Sequence, residues 1–457
     1  MLSICLLCGA CALGCSTSTP PAKRTAASPR AASTPGSPSA SPSAPTGSPL
    51  WTLTAPSDSR VAVTSNGYVL ASDHEVFGLG RQGQRRWHHT FHVACDGDDF
   101  CEDQIRVQVA DSVVIVSRDN PTRQEWPGSL VVLALDARTG ATLWRDDQPS
   151  FVTALATAVY TSVCHGGQHN RIGDCHLSAR DPRTGATRWT VATYASAEVG
   201  EPDPLTDALA APPVPKYLAI YSFPTGATSE TVTTVDPASG NGLGTSLRAD
   251  TFYQTTDHII AVDRDDNTAS RGCKTTLTAW SPYGAGRIWL RTFTGFLDQD
   301  QRCSDPSDQI ADGQLAVLNG SGHTTLVSLA TGKTDWTATE PGTPLLVGNG
   351  YVVTTGNDGG LVYYDRSTDR IRWRIGGGAA DYQPEWQVQM LGTWLIASDV
   401  AYPDCWSDDC PTVNVLDPAS GSLYRAPRGV LVSAANGVVV TELDNGNTSG
   451  YTAYSIR

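Results

Sequence analysis

Two stretches, LVVLALDARTGATLW (residues 130–144) and CHLSARDPRTGATRW (residues 175–189), repeat one phrase. An apolar run leads to Asp136 or Asp181, then to Gly140 or Gly185, and Trp144 or Trp189 follows four residues after the Gly. The phrase predicts a β-hairpin, because the Asp side chain can bond the backbone of the turn and Gly takes the left-handed conformation that reverses the chain. A Trp that recurs at the start of the next strand indicates packing between neighbouring sheets.

Six weaker copies of the phrase keep the same frame. Their residues at the Asp, Gly and Trp positions are Leu79, Gly83 and Trp87; Asp236, Gly240 and Gly244; Ser281, Ala285 and Trp289; Ser328, Gly332 and Trp336; Asp365, Asp369 and Trp373; and Asp417, Gly421 and Arg425. The eight first positions run from 79 to 417, so the intervals average about 48 residues, a length typical of propeller blades. Two further strand-like runs precede each hairpin, and each repeat therefore predicts a four-stranded antiparallel sheet.

The two ends of the repeat region complement each other. After the eighth copy, residues 429–433, 437–441 and 450–456 form three strand-like runs without a fourth, while residues 51–54 (WTLT) form a Trp-bearing strand without partners. Joining these two ends would close a ring. Counted literally, the sequence then holds nine repeats.

These repeats resemble those of the PQQ-like β-propeller family, which includes quinoprotein dehydrogenases and the outer-membrane assembly lipoprotein of Gram-negative bacteria. The resemblance covers residues 51–457 and is closer to the assembly lipoprotein than to the dehydrogenases. It implies an all-β fold, a single β-propeller of four-stranded antiparallel blades. Eight blades are usual in this family and are therefore preferred, whereas a literal count of the repeats in this sequence gives nine.

The first fifty residues differ from the repeats. Residues 1–14 (MLSICLLCGACALG) are apolar and end in small residues before Cys15, which resembles a bacterial lipoprotein signal over residues 1–15 with a lipid on Cys15. Two features depart from that pattern: Ala12 stands where Leu is usual, and no basic residue precedes the apolar run. An ordinary secretory signal is the alternative. Residues 16–50 are rich in Ser, Thr, Pro and Ala, which predicts a disordered tether ahead of the propeller.

Charge restricts the partners. The chain has 32 basic and 46 acidic residues, a net charge of −14, and three of the basic residues lie in the first fifty positions. An acidic globular part repels phosphate backbones, so we expect no nucleic-acid partner. No apolar run reaches the 18 or so residues of a membrane span, and the lipid is therefore the expected membrane contact. We expect an exported protein at the outer face of the cytoplasmic membrane, or a secreted one if Cys15 is not lipidated.

Eight cysteines follow Cys15, an even number that favours disulfides outside the cytosol. The local pairs are Cys95 with Cys101, Cys164 with Cys175, Cys273 with Cys303, and Cys405 with Cys410. An alternative for the second pair is a zinc site with His165, His169 and His176, although its spacing fits no finger or ribbon.

Calcium has candidate ligands in four acidic loops, at Asp96, Asp98 and Asp99; Asp263, Asp265 and Asp266; Asp298 and Asp300; and Asp408 and Asp409. None matches the EF-hand pattern, so solvated loop surface is the simpler interpretation. His88 and His92 are expected on the opposite strand face from His89, which does not favour a three-His metal site. We assign no metal-binding residue.

The resemblance leaves three functional hypotheses. A quinoprotein dehydrogenase would bind pyrroloquinoline quinone and calcium on the propeller axis, but the sequence has no adjacent Cys-Cys pair of the kind that lies against the quinone in alcohol-oxidising members. No Gly-x-Ser-x-Gly elbow or P-loop is present. A sensor of a small ligand is a further alternative. We favour a monomeric, non-enzymatic scaffold without catalytic or cofactor residues, which binds another cell-envelope protein through residues 91–107, 194–215 and 399–411.

Overall fold

The computed structural model describes 18 segments of the chain. They are residues 48–56, 59–72, 75–90, 105–119, 130–164, 175–193, 197–199, 212–222, 229–265, 274–284, 286–294, 310–311, 313–376, 386–399, 413–425, 427–435, 437–444 and 448–456. The regular elements in these segments are 36 β-strands. Among the described residues no helix is long and apolar enough to cross a membrane.

The strands form nine four-stranded antiparallel sheets, or blades, in chain order. Blade 1 comprises β2 (Arg60–Thr64), β3 (Gly67–Ala71), β4 (Glu75–Gly80) and β5 (Arg85–Thr90). Blade 2 comprises β6 (Arg106–Ala110), β7 (Val113–Asp119), β8 (Leu130–Asp136) and β9 (Thr142–Asp146). Blade 3 comprises β10 (Phe151–Leu155), β11 (Ala158–Cys164), β12 (Cys175–Arg180) and β13 (Thr187–Thr193). Blade 4 comprises β14 (Ala197–Val199), β15 (Leu218–Ser222), β16 (Glu230–Val235) and β17 (Gly242–Ala249).

The second half of the ring repeats this order. Blade 5 comprises β18 (Thr251–Gln254), β19 (Ile259–Asp265), β20 (Lys274–Trp280) and β21 (Arg287–Thr294). Blade 6 comprises β22 (Ile310–Ala311), β23 (Gln314–Leu318), β24 (His323–Ser328) and β25 (Thr334–Pro341). Blade 7 comprises β26 (Pro344–Gly348), β27 (Tyr351–Thr355), β28 (Leu361–Asp365) and β29 (Arg370–Ile375). Blade 8 comprises β30 (Trp386–Leu391), β31 (Trp394–Asp399), β32 (Asn414–Leu416) and β33 (Leu423–Arg425).

Blade 9 closes the ring with strands from both ends of the chain. It contains β34 (Val430–Ala435), β35 (Val438–Asp444), β36 (Thr448–Ser455) and, as its outer strand, β1 (Trp51–Pro56). Trp51 pairs with Ala453 and Pro56 with Thr448, so β1 lies along β36 over its whole length. The predicted fold class, an all-β propeller of four-stranded antiparallel blades, is confirmed. The structure has nine blades, as the literal count of repeats gives, and not the eight that the family resemblance favoured.

The apolar core lies between the blades. Nine clusters of buried side chains each join two successive blades, and one of them joins blade 9 to blade 1 through Tyr451 and Leu70. The second and third strands are buried on both faces, which explains near-continuous apolar runs such as VVIV in β7. The outer strands are half exposed and alternate, as β21 does. Every blade therefore needs two neighbours, and the ring supplies them.

The antiparallel order gives the propeller two different ends. The turns between first and second strands and between third and fourth strands lie at one end, which we call the turn face. The connections between second and third strands, and from each fourth strand to the next blade, start and finish at the other end, the loop face.

Candidate functional site

The repeated hairpin phrase builds the turn face. In blade 2, Asp136 Oδ1 accepts hydrogen bonds from the backbone N–H groups of Arg138 and Thr139 and from the Thr139 hydroxyl, at 3.0 to 3.1 Å. Gly140 has φ +71°, the left-handed value that lets the chain reverse. Asp181 and Gly185 make the same turn in blade 3, with Gly185 at φ +68°.

The repeated Trp joins each blade to the next through this turn. Trp87 is 8% exposed, and its indole N–H donates to the Ala137 carbonyl at 3.0 Å. A Cβ built on Gly140 would lie 2.5 Å from the Trp87 ring, so only Gly leaves room for it. The same donation runs from Trp144 to Pro182, Trp189 to Pro237, Trp289 to Leu329, and Trp373 to Pro418, at 2.6 to 2.9 Å. The repeat residues thus fasten neighbouring blades together.

The other four blade junctions lack this contact: at the junction of blades 8 and 9 Arg425 stands at the Trp position, and the remaining three vary as follows. In blade 7, Asp369 takes φ +54° at the Gly position and accepts the Trp336 indole N–H on its carboxylate at 2.8 Å. In blade 4, Gly244 replaces the Trp, and the Thr245 hydroxyl donates to the Ser281 carbonyl of blade 5 instead, at 2.7 Å. At the ring closure, the Trp51 side chain lies against Gly83, where a Cβ would approach it to 2.4 Å.

The Asp side chains of the hairpin turns form hydrogen bonds within those turns. Hydrogen bonds from Arg188 and from Thr184 lower the pKa of Asp181 to about 2. A hydroxyl within the same turn, from Ser239, Ser367 or Ser420, holds the pKa of Asp236, Asp365 or Asp417 respectively below its usual value. Such carboxylates stay ionised and already bonded, which suits structure better than proton transfer.

The loop face carries the described disulfide. Cys164 and Cys175 are directly opposite each other at the ends of β11 and β12, and their sulfurs are bonded. This pair matches one of the four predicted disulfides, and its thiolates are not available for the alternative zinc site. Cys15 and the other six predicted half-cystines, Cys95, Cys101, Cys273, Cys303, Cys405 and Cys410, lie outside the described residues, as do His165 and His169.

Most candidate calcium ligands also lie outside the described residues; of them, only the Asp263 side chain is described. Burial, together with the nearby charge of Asp250, raises the pKa of Asp263. His88 approaches Glu75 at 3.3 Å, while partial burial and the neighbouring His88 lower the pKa of His89. Within the described residues no group of three or more His, Cys, Asp or Glu side chains is placed to hold a metal ion.

The three predicted contact regions do not all belong to one end. Of the predicted regions 91–107 and 399–411, residues 91–104 and 400–411 lie outside the described residues and are flanked by strand ends of the loop face. Residues 106–107 belong to β6 and residue 399 belongs to β31. Residues 194–215 contain β14, a three-residue inner strand that the sequence pattern did not reveal. That strand divides the region, because residues 194–196 follow β13 at the loop face whereas residues 200–217 join β14 to β15 at the turn face. Residues 194–215 are therefore not a single insertion, and their contact with a partner stays a prediction.

One exposed feature was missed by the sequence analysis. Ile288 and Leu290 of β21 are 45% and 50% exposed, and Tyr283 in the preceding turn is 52% exposed. Both strand residues flank Trp289, a position that the repeat comparison treated only as packing. The unusual apolar neighbours of this Trp were the available signal.

Comparison with known proteins identifies the family. A family model described as outer membrane protein assembly factor BamB matches residues 40–226 and 228–375, well over half of the chain. The protein belongs to this family of PQQ-like β-propellers. The sequence matches no curated protein.

Solved structures with a similar fold come from several classes of protein. BamB from Moraxella catarrhalis is 17% identical, with 89% of this chain and 99% of that chain covered and a TM-score of 0.43. The quinohemoprotein alcohol dehydrogenase ADHIIG from Pseudomonas putida HK5 is 12% identical, with 77% and 73% covered and a TM-score of 0.41. Apo AztD from Citrobacter koseri is 10% identical, with 88% and 98% covered and a TM-score of 0.42. Likeness at this level says nothing about what this chain binds.

Proposed function

We propose that the protein is an extracytoplasmic, lipid-anchored scaffold that binds another cell-envelope protein through its loop face. The observation that carries the proposal is the placement of the connections. Seven connections between described strands have ten or more residues, and six of them join strand ends at the loop face. Long connections on a rigid framework are where binding residues concentrate.

The framework beneath the loop face is stiff, which favours recognition over conformational change. Trp docking at the turn face ties successive blades, and the buried clusters fill every junction. The family description, an assembly factor of outer membrane proteins, supports a partner in the cell envelope. The lipoprotein-like signal before Cys15 supports the same location.

The scaffold proposal leaves out catalysis. The described carboxylates of the hairpin turns are already bonded within the turns, and the sequence lacks the adjacent Cys-Cys pair of the alcohol-oxidising relatives. Membership of a fold family is a weak warrant for enzymatic activity. Neither the described turn carboxylates nor the cysteine pattern of the sequence favours a dehydrogenase.

The lipid anchor has a direct test. Replacing Cys15 by Ser should move the protein from the membrane fraction to the medium, because the acyl chains supply the membrane affinity. The exchange of Cys11 for Ser is the matched control and should leave the protein in the membrane. Unchanged fractionation of the Cys15→Ser variant would contradict lipid anchoring at this residue.

Binding through the loop face is tested by photo-crosslinking in intact cells. A photoreactive amino acid at Thr90, Asp119 or Lys274 probes exposed strand ends of the loop face. Equivalent probes at Arg138, Ala238 and Ala330 sit in exposed turns of the turn face and serve as controls. We expect one shared adduct from the loop-face positions and none from the controls. Adducts confined to the turn face would contradict the proposal.

A further inference from the structure

Blade 5 has an outer strand unlike those of the other Trp-bearing blades. The residues just before and just after the repeated Trp are Arg86 and His88, Leu143 and Arg145, Arg188 and Thr190, Asp335 and Thr337, and Arg372 and Arg374 in blades 1, 2, 3, 6 and 7. Each of these pairs contains at least one charged side chain. In blade 5 the same positions hold Ile288 and Leu290, and both are exposed. An exposed apolar outer strand is a place where another chain can pair.

The backbone of this strand is free along one edge. Among the described strands β21 pairs only with β20. The register is regular over six residues, from Trp289 opposite Ala279 to Thr294 opposite Lys274. Among the outer strands only β1 has an equally long regular register, and its exposed residues are Thr52, Thr54 and Pro56. Pro protects an edge, and β21 has none; its exposed residues are Arg287, Ile288, Leu290, Thr292 and Thr294, so the apolar part of the edge is the segment around Trp289.

The face of β21 opposite to Leu290 packs against blade 6. Trp289 and Phe293 pack against the cluster between blades 5 and 6. Arg291 donates to the Gly332 carbonyl and to the Thr334 hydroxyl, both at 2.7 Å. These contacts hold the strand in place while Leu290, opposite Thr278, points to the other face. The exposed residues therefore stand on a rigid edge, which lowers the entropic cost of adding a strand.

The charge around the edge selects the partner. Residues 274–294 contain no acidic residue, in a chain with a net charge of −14. Lys274, opposite Thr294, and Arg287 are both exposed, whereas Arg291 is bonded on the other face. An approaching segment thus meets apolar side chains bordered by basic ones.

We propose that the free edge of β21 is a docking site for an extended segment of a partner protein in which apolar and acidic residues alternate. The segment adds a fifth strand to blade 5, its backbone bonds the free edge, and its apolar side chains cover Ile288 and Leu290. Its acidic side chains face the basic border. This inference rests on the proposed binding function and names the surface and the chemistry of the segment.

The probe for this site is a fluorescein-labelled decapeptide of alternating Val and Glu, followed by fluorescence anisotropy against the purified protein. We expect saturable binding that weakens at least tenfold in Leu290→Lys and in the milder variant Leu290→Thr. The matched control is Thr190→Lys, an exchange at the equivalent exposed position of blade 3, and its affinity should stay within twofold of the unmodified protein. A peptide with Lys in place of Glu, and one methylated at alternate backbone nitrogens, should each bind at least tenfold more weakly.

Any of three results would overturn the inference. The Val/Glu peptide does not bind saturably, Leu290→Lys binds it as tightly as the unmodified protein does, or the backbone-methylated peptide binds as tightly as the unmethylated one. Thermal unfolding of each variant checks that it is folded. Sedimentation tests whether a second copy of the chain occupies the edge instead. Self-association that Leu290→Lys abolishes would show that the edge forms a dimer and would overturn the inference of an acidic segment. Loss of peptide binding with intact loop-face crosslinks would overturn this inference alone and leave the proposed function standing.

Discussion

The contact between one Trp and one Gly is the smallest unit that explains this ring. In five blades the indole N–H of the repeated Trp donates to a carbonyl in the next blade, and its ring occupies the space that a side chain at the Gly would need. The Trp supplies apolar area and the Gly supplies both the turn and the room. The two residues recur together because the Trp ring fills the space that the absent side chain of the Gly leaves.

Replacing Trp144 by Ala tests the docking contact. Trp144 is partly buried and donates to Pro182 at 2.7 Å, so the exchange removes a packed ring and one hydrogen bond. We expect the free energy of unfolding, measured by denaturant titration, to fall by about 3 kcal/mol. Trp144→Phe keeps a ring and should lose about 1 kcal/mol. A negligible change in the Ala variant would contradict the docking role.

The Gly side of the contact has its own test. Gly140 and Gly313 have nearly equal φ, +71° and +73°, but a Cβ at Gly140 would meet the Trp87 ring at 2.5 Å whereas one at Gly313 meets nothing within 4 Å. Gly313→Ala should therefore cost about 1 kcal/mol in unfolding free energy for the left-handed backbone alone. Gly140→Ala should cost about 1 to 3 kcal/mol more, since the ring must move. Equal losses in the two variants would show that the ring contact contributes nothing.

The hairpin turn is the element in which the acidic residues act. Asp181 accepts bonds from Arg183 and Thr184 in its own turn and from Arg188 at 2.8 Å. Its side chain is about one-third exposed, and hydrogen bonds rather than burial dominate the shift of its pKa. Backbone bonds from Gly185 to Asp181 and from Asp181 to Ala186 also close the turn, and the ionised carboxylate adds its side-chain bonds to them.

The pH dependence of this turn follows from that pKa. Hydrogen bonds led by Arg188 lower the pKa of Asp181 from 3.8 to about 2, so the ionised form is favoured by folding. The stabilisation is fully present above about pH 5 and is lost as the pH falls from about 4 towards 2. The difference in unfolding midpoint between the protein and Asp181→Asn should therefore be constant above pH 5 and shrink below pH 4. A difference independent of pH would contradict this role.

The sequence predicts some elements better than others, for physical reasons. The third and fourth strands surround the Asp, Gly and Trp of the hairpin, and their order in all eight repeats was predicted. The inner strand β14 has three residues and no periodic pattern, so its division of residues 194–215 could not be predicted. In blade 4, where Gly244 stands at the Trp position, the hydrogen bond from Thr245 to Ser281 could not be predicted, because a single hydroxyl leaves no pattern. Exposure of Leu290 depends on what lies beside it in space.

At the scale of the whole molecule, the ends of the chain decide whether the ring is closed. The strand beginning at Trp51 completes the blade formed by the last three strands, and Tyr451 of that blade donates to the Ser59 carbonyl at 2.9 Å. The closure leaves no blade without two neighbours. Nine blades, rather than eight, follow from this count.

A new disulfide between the two end strands tests the closure. Thr52 and Thr452 lie directly opposite in register, and opposed residues of antiparallel strands have Cα atoms about 4.5 to 5.5 Å apart, within disulfide reach. The pair Thr52→Cys and Thr452→Cys should form a disulfide, seen by non-reducing peptide mapping, and should raise the midpoint of thermal unfolding. Thr52→Cys with Thr448→Cys is the mismatched control, because Thr448 lies opposite Pro56. Bridging only in the control would refute the closure.

The central claim at this scale is that the ring acts by binding and performs no redox reaction. The most direct measurement is a titration of residues 51–457 with pyrroloquinoline quinone and calcium, followed by absorbance and by reduction of an electron-accepting dye with mixed alcohols and sugars. A scaffold predicts neither saturable uptake of the quinone nor dye reduction above a protein-free blank. Saturable binding together with substrate-dependent dye reduction would contradict the claim and make this propeller a dehydrogenase.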